Sequence, residues 1–151
     1  MRVNENEMLK LIGFAKNIAL VEPDYKRKYP PLGLAKIATY AKQMGSNTIF
    51  RRGHYGKSNM FDDCPQVDLI CITSLFTYDI EFVKSAIRVS HLYNKKTPIL
   101  VGGVCASLMP KEVDFRKDYD LKIFTGCSEV LDKCVPEYTE DWGVEKPWDE
   151  Y

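Results

Sequence analysis

The chain alternates short apolar runs with stretches whose apolar residues recur every three or four positions. The first run, Asn17-Ile18-Ala19-Leu20-Val21-Glu22, has strand length and stops at the breaker pair Pro23-Asp24. After a polar loop, Pro30-Pro31 opens a stretch in which Leu34, Ile37, Ala38, Ala41 and Met44 fall on helical spacing, with Gly45 as C-cap. Asn47 to Arg51 is a second strand, shorter and more polar, as suits a sheet edge. Asp68 to Leu75 is almost continuously apolar, the mark of a parallel strand buried on both faces. Ile80 to Tyr93 reads as an amphipathic helix carrying Phe82, Val83, Ala86, Ile87, Val89 and Leu92, capped by Asp79 or Thr77. Thr97 to Val101 is the fourth strand and ends in Gly102-Gly103. A helical stretch from Ala106 to Phe115 is interrupted at Pro110. Asp120 to Thr125 is the fifth strand, and Gly126 turns into a last helix, Ser128 to Val135, that stops before Pro136.

Strands alternating with helices through short connections predict an α/β fold. The expected architecture is a flavodoxin-like (Rossmann-like) doubly wound five-stranded parallel sheet in the order 2-1-3-4-5. Residues 1–16 read as an N-terminal extension, the first ten of them as a frayed start. Residues 17–136 form the α/β domain. Residues 137–151 have no period and carry Trp142 and Trp148, so they read as a linker or arm.

Composition narrows the function classes. A length of 151 residues suits one domain with a real core. Lys plus Arg total 21 and Asp plus Glu total 21, so the net charge of zero gives no electrostatic reason to expect a nucleic-acid or membrane partner. No apolar run approaches the roughly 20 residues that span a bilayer, and residues 1–10 lack the plan of a signal peptide. A cytoplasmic location is expected. The five cysteines (64, 71, 105, 127 and 134) are odd in number and include no CxxC pair, which argues against a disulfide framework. Cys71 reads as a small buried strand residue. Cys127 and Cys134, seven apart, are spaced to share a helix face, but two thiols fall short of the four ligands of a structural zinc site. No metal site and no catalytic residue are assigned. His91, late in a helix, reads as a surface residue, and His54 as a solvated loop residue.

In open α/β sheets ligands sit beyond the carboxyl ends of the strands. The loops there hold no GxGxxG, no Walker A motif and no Ser-His-Asp or Cys-His arrangement. Ser74 and Thr125 stand where a phosphate-receiver domain needs aspartate and lysine. A flavin mononucleotide site wants a Ser/Thr/Gly-rich first loop, whereas this one carries Lys26-Arg27-Lys28 and prolines. Gly102-Gly103 is the exception: it leaves bare backbone at the carboxyl edge, open to close approach by a ligand.

Four motifs in order carry a resemblance. Pro30-Pro31-Leu32-Gly33-Leu34 with Tyr40 through Gly45, Val101-Gly102-Gly103-Val104-Cys105-Ala106-Ser107, Met109-Pro110-Lys111-Glu112 and Thr125-Gly126-Cys127-Ser128-Glu129 resemble the cobalamin-binding-like N-terminal domains of radical SAM enzymes. The likeness covers roughly residues 17–138. It implies a flavodoxin-like domain whose carboxyl edge receives the lower-axial side and nucleotide tail of cobalamin. The implied cofactor-binding residues are Thr73, Ser74, Leu75, Gly102, Gly103, Ala106, Thr125 and Gly126. Three departures matter. Pro30-Pro31-Leu32-Gly33 replaces the DxHxxG motif, so the cobalt-ligating histidine is missing, and Cys127 replaces the usual acid of the last motif. The CxxxCxxC triad is also absent, so no iron–sulfur cluster or S-adenosylmethionine, and no radical SAM activity, is expected of this chain alone.

Two functions therefore stand side by side. One is an accessory or interaction module that binds no cobalamin and partners a radical SAM catalytic domain in cis or in trans. The other is genuine cobalamin (corrinoid) binding at the carboxyl edge. Binding requires a cavity at the Gly-Gly edge, whereas a module without cofactor would have Phe76, Tyr78 and Leu108 filling that edge.

Overall fold

The computed structural model describes residues 1–24, 31–52, 61 and 64–137. In chain order its elements are β1 (Arg2–Val3), α1 (Glu5–Phe14), β2 (Asn17–Glu22), α2 (Leu32–Gln43), β3 (Asn47–Arg52) and β4 (Leu69–Ser74). A 3₁₀ turn (Thr77–Asp79), α3 (Ile80–Tyr93), β5 (Ile99–Gly103), α4 (Val104–Leu108), α5 (Pro110–Val113), β6 (Leu121–Phe124) and α6 (Glu129–Asp132) follow. The strands form one parallel sheet in the order β1-β6-β5-β4-β2-β3. The five expected strands are neighbours as the doubly wound order requires. The sheet has a sixth, β1, added beside β6.

Strand alternation sorts the core onto two faces. Ala19, Val21, Ile70, Ile72, Ile99, Val101 and Ile123 pack with Val83, Ile87, Cys105 and Val113 on the α3–α5 side. Ile18, Leu20, Leu69, Cys71, Leu100 and Phe124 pack with Met8, Ile12, Leu34 and Ala38 on the α1–α2 side. β4 is buried on both faces, which is why its sequence is nearly all apolar. On α2 the buried positions are mostly alanines (35, 38 and 41), so the helix can lie close to the sheet. Gly45 follows α2 at a φ of 89°, the left-handed geometry that ends helices on glycine.

The first ten residues are not a frayed start. Asn4 caps α1 by accepting from the Glu7 N–H at 2.8 Å, and the Glu7 carboxylate accepts from the Asn4 N–H at 3.1 Å, a complete capping box. Met8 and Ile12 are buried below it. The Met1 amine donates to Asp114 Oδ2 and to the Leu121 carbonyl, both at 2.9 Å, which ties β1 to the β6 edge. Burial works against the Asp114 carboxylate, but hydrogen bonds from Lys117 and the Met1 amine hold it below the usual carboxylate range.

Three smaller expectations also change. β5 runs through both glycines instead of ending before them. Neither Asp79 nor Thr77 makes a side-chain cap on α3, because the 3₁₀ turn delivers the chain into the helix. α6 is a single turn capped by Ser128, so Cys127 and Cys134 do not share a helix face. Lys26-Arg27-Lys28, Pro30, His54, Asp62-Asp63, Trp142 and Trp148 lie outside the described residues.

Candidate functional site

The carboxyl ends of β4, β5 and β6 are joined by two serine hydroxyls. Ser74, at the end of β4, donates to the Gly102 carbonyl at 2.7 Å and accepts from the Ala106 N–H at 2.9 Å. Ser107, in α4, donates to the Gly103 carbonyl at 2.8 Å and accepts from the Gly126 N–H at 2.8 Å. Backbone groups that a strand-to-helix turn leaves without ladder partners are satisfied in this way. Ser74→Ala removes the acceptor from the buried Ala106 N–H and the donor from Gly102. We expect a loss of about 2 kcal/mol in urea unfolding, since an unsatisfied buried group costs roughly 1–3 kcal/mol. A change below about 0.5 kcal/mol would show that the hydroxyl is dispensable.

A cavity of about 240 Å³ opens beside this stitched edge, on the α1–α2 side. Cys71, Leu100 and Phe124 floor it, and Thr73, Gly102, Gly103 and Gly126 stand at the strand ends. Leu32, Gly33 and Ile37 of α2 form one flank, and Cys127, Ser128 and Leu131 form the opposite one. The lining is mostly apolar. Lys36 and Asp132, which also line it, are an ion pair at 3.6 Å. Burial pushes the Cys71 thiol up to about 12, so it lies there as a neutral apolar group. Adding a Cβ at Gly102 meets nothing closer than the Phe124 carbonyl at 3.9 Å, so this glycine keeps the cavity open rather than relieving a clash.

Four of the eight residues singled out from the sequence line the cavity: Thr73, Gly102, Gly103 and Gly126. Ser74 and Ala106 are buried and serve the turn. Leu75 and Thr125 are half-buried and do not line the cavity. Cys71, Leu100, Ile37 and Leu131 were not singled out. For Cys71 and Leu100 the signal was present, because residues two positions before Thr73 and Gly102 on the same strands face the same side. Phe76, Tyr78 and Leu108 do not fill the edge. They are 39, 77 and 68% exposed, with the Phe76 and Tyr78 rings stacked at 5.0 Å.

The flank at 127–137 is attached differently from the rest. Lys36, Thr39 and Lys42 form one row along α2. They hold Asp132 by an ion pair, the Val135 carbonyl by a hydroxyl hydrogen bond, and Glu137 by an ion pair at 3.3 Å. The Glu137 N–H donates to the Ala35 carbonyl at 3.1 Å, and the Glu129 N–H to Glu5 at 3.0 Å. Leu131 is the buried apolar anchor, and burying such a side chain contributes about 1.5–3 kcal/mol. Solvent-facing ion pairs add roughly 0.2–1 kcal/mol each.

His91 lies away from the cavity and stacks on Tyr119, with ring centroids 3.7 Å apart. Among the described residues no cluster of His, Cys, Asp and Glu is arranged to hold a metal ion, and no helix is long and apolar enough to cross a membrane. Neither a scan against protein-family models nor a search of curated proteins returns a match for this chain.

Proposed function

We propose that this chain is a cobalamin-binding-like domain that binds a corrinoid at the carboxyl edge of its sheet. The observation that carries this reading is the apolar cavity beside Gly102-Gly103, at the edge where ligands of doubly wound sheets sit. Its 240 Å³ lies below the roughly 300–1,000 Å³ of pockets that enclose a drug-sized ligand, so it suits one flat, uncharged end of a larger molecule. The residues present fit such a group: small side chains at the rim, carbon and neutral sulfur at the floor. The described residues around the cavity include no histidine to ligate cobalt, and the loop after β2 contains none in its sequence. Bound there, a corrinoid would supply cobalt-centred alkyl-transfer chemistry to a catalytic domain. This chain's residues would bind and orient it.

Titration with hydroxocobalamin, followed by desalting and a visible spectrum of the protein fraction, tests the reading. Near-stoichiometric corrinoid absorbance is expected, and Gly102→Val, which adds bulk at the cavity rim, should cut retention at least tenfold. A colourless protein fraction overturns it.

A second reading, an accessory module docking on a radical SAM catalytic domain without cofactor, draws on different residues. Phe76, Tyr78, Val104 and Leu108 are exposed apolar side chains at the same carboxyl edge, and exposed apolar groups gathered in one place mark interaction surfaces. A colourless protein fraction in the titration leaves this reading standing.

A further inference from the structure

The cavity's walls are of unequal strength. Its floor belongs to β4, β5 and β6, whose backbones are locked in the parallel ladder. Its α2 flank sits on alanines packed against the sheet. The opposite flank, 127–137, contains a single helical turn, one buried apolar anchor in Leu131, and polar contacts at the surface of α2. Those contacts fall on Lys36, Thr39 and Lys42, three residues apart each time, and on the Ala35 carbonyl. Apart from the Glu129 N–H, which donates to Glu5 of α1, the segment is tied along one row of α2, and contacts in one row break in sequence as locally unfolding units do.

We propose that residues 127–137 are a strap that gates the cavity by peeling from α2, so that ligand entry is governed by strap opening rather than by motion of the sheet or of α2. The inference deepens the proposed function, since it assigns the control of access to that same site, and it rests on that reading for the identity of what enters. Strap opening itself can be observed without a ligand. Cys71 lines the cavity and is 1% exposed, and the strap residues Cys127, Ser128 and Leu131 line the same space. Cys105 is 0% exposed but lies on the other face of the sheet, packed with the α3–α5 core. The two thiols therefore separate opening of the strap from opening of the whole fold.

The experiment is alkylation of the full chain by iodoacetamide under native conditions, in a Cys127→Ser background that keeps the rim thiol out of the reaction. Labelling of each cysteine is followed by peptide mass spectrometry. The double variant Lys36→Ala/Lys42→Ala removes both ion pairs to the strap and touches no core residue. Cys71 labelling is expected to accelerate at least threefold in that variant while Cys105 labelling is unchanged. Unchanged Cys71 labelling, or equal acceleration at Cys71 and Cys105, overturns the strap. Hydroxocobalamin is added in a parallel arm. Retained corrinoid that slows Cys71 labelling supports both the gate and the proposed function. Retained corrinoid that leaves Cys71 labelling unchanged puts the corrinoid outside this cavity and overturns the proposed site, while the ligand-free labelling decides whether the strap opens. With no corrinoid retained, the proposed function falls, and the ligand-free labelling still decides whether the strap opens.

Discussion

Gly103→Ala is expected to cost about 4 kcal/mol or more, a large part of the stability of about 5–15 kcal/mol typical of small domains. Two independent effects add. Gly103 has a φ of 101° with ψ of −173°, a backbone region open essentially to glycine, and a side chain there costs of order 1–3 kcal/mol. A Cβ would also fall 2.1 Å from the Ser74 carbonyl oxygen and 3.0 Å from the Ser74 nitrogen. Those are backbone atoms of the adjacent strand, paired with Gly103 in the ladder, so relief requires parting β4 from β5. Gly102→Ala is the control. Its Cβ has ordinary contact distance, and the cost should stay near or below about 1 kcal/mol. Urea unfolding of the two variants measures the difference. Equal midpoints would show that the close approach to Ser74 is not what fixes glycine at 103.

Removing residues 1–15 is expected to abolish cooperative unfolding. The deletion takes away β1, α1 and the buried side chains Val3, Met8, Ile12 and Ala15, and it uncovers the α1–α2 face around Leu100 and Phe124. Fully burying Met8 and Ile12 alone contributes about 1.5–3 kcal/mol each, against a typical total of about 5–15 kcal/mol. A thermal melt of residues 16–151 followed by circular dichroism should show a broad, shallow transition. A sharp melt within a few degrees of the full chain would mean that β1 and α1 decorate a core complete without them.

These two positions also mark where the sequence was legible. Five strands and their order could be read because each is an apolar run between breakers, and because β2, β4 and β5 are buried on both faces. β1 could not, since two residues make no pattern, and its pairing with β6 is a tertiary event. α1 was missed although its signature stands in plain view: Asn4 and Glu7 form a capping box ahead of Met8 and Ile12. The polar run Asn4-Glu5-Asn6-Glu7 ahead of Met8, Leu9, Leu11 and Ile12 makes the start of the chain read as solvated. At the edge, Gly102-Gly103 was read as bare backbone for a ligand. The structure separates the pair by role: both line the cavity, but only Gly103 also admits the neighbouring strand. Ser74 and Ala106 drew notice for a ligand because their place at a strand end is also the place for stitching a turn. The strap escaped because Leu131 and its α2 partners are some 90 residues apart in sequence and meet only when the sheet has formed.

The position of β1 at the far edge also has a consequence in time. The Met1 amine meets Leu121 across a separation of 120 residues, so β1 cannot be placed until β6 has been made. At roughly 5–20 residues per second of synthesis, α1 waits on the order of ten seconds with Met8 and Ile12 uncovered. Its capping box and first-turn acids, Glu5 and Glu7, are local and need no partner strand. They favour helix over coil in the segment while it waits. β1 thus joins the sheet only once its partner β6 exists.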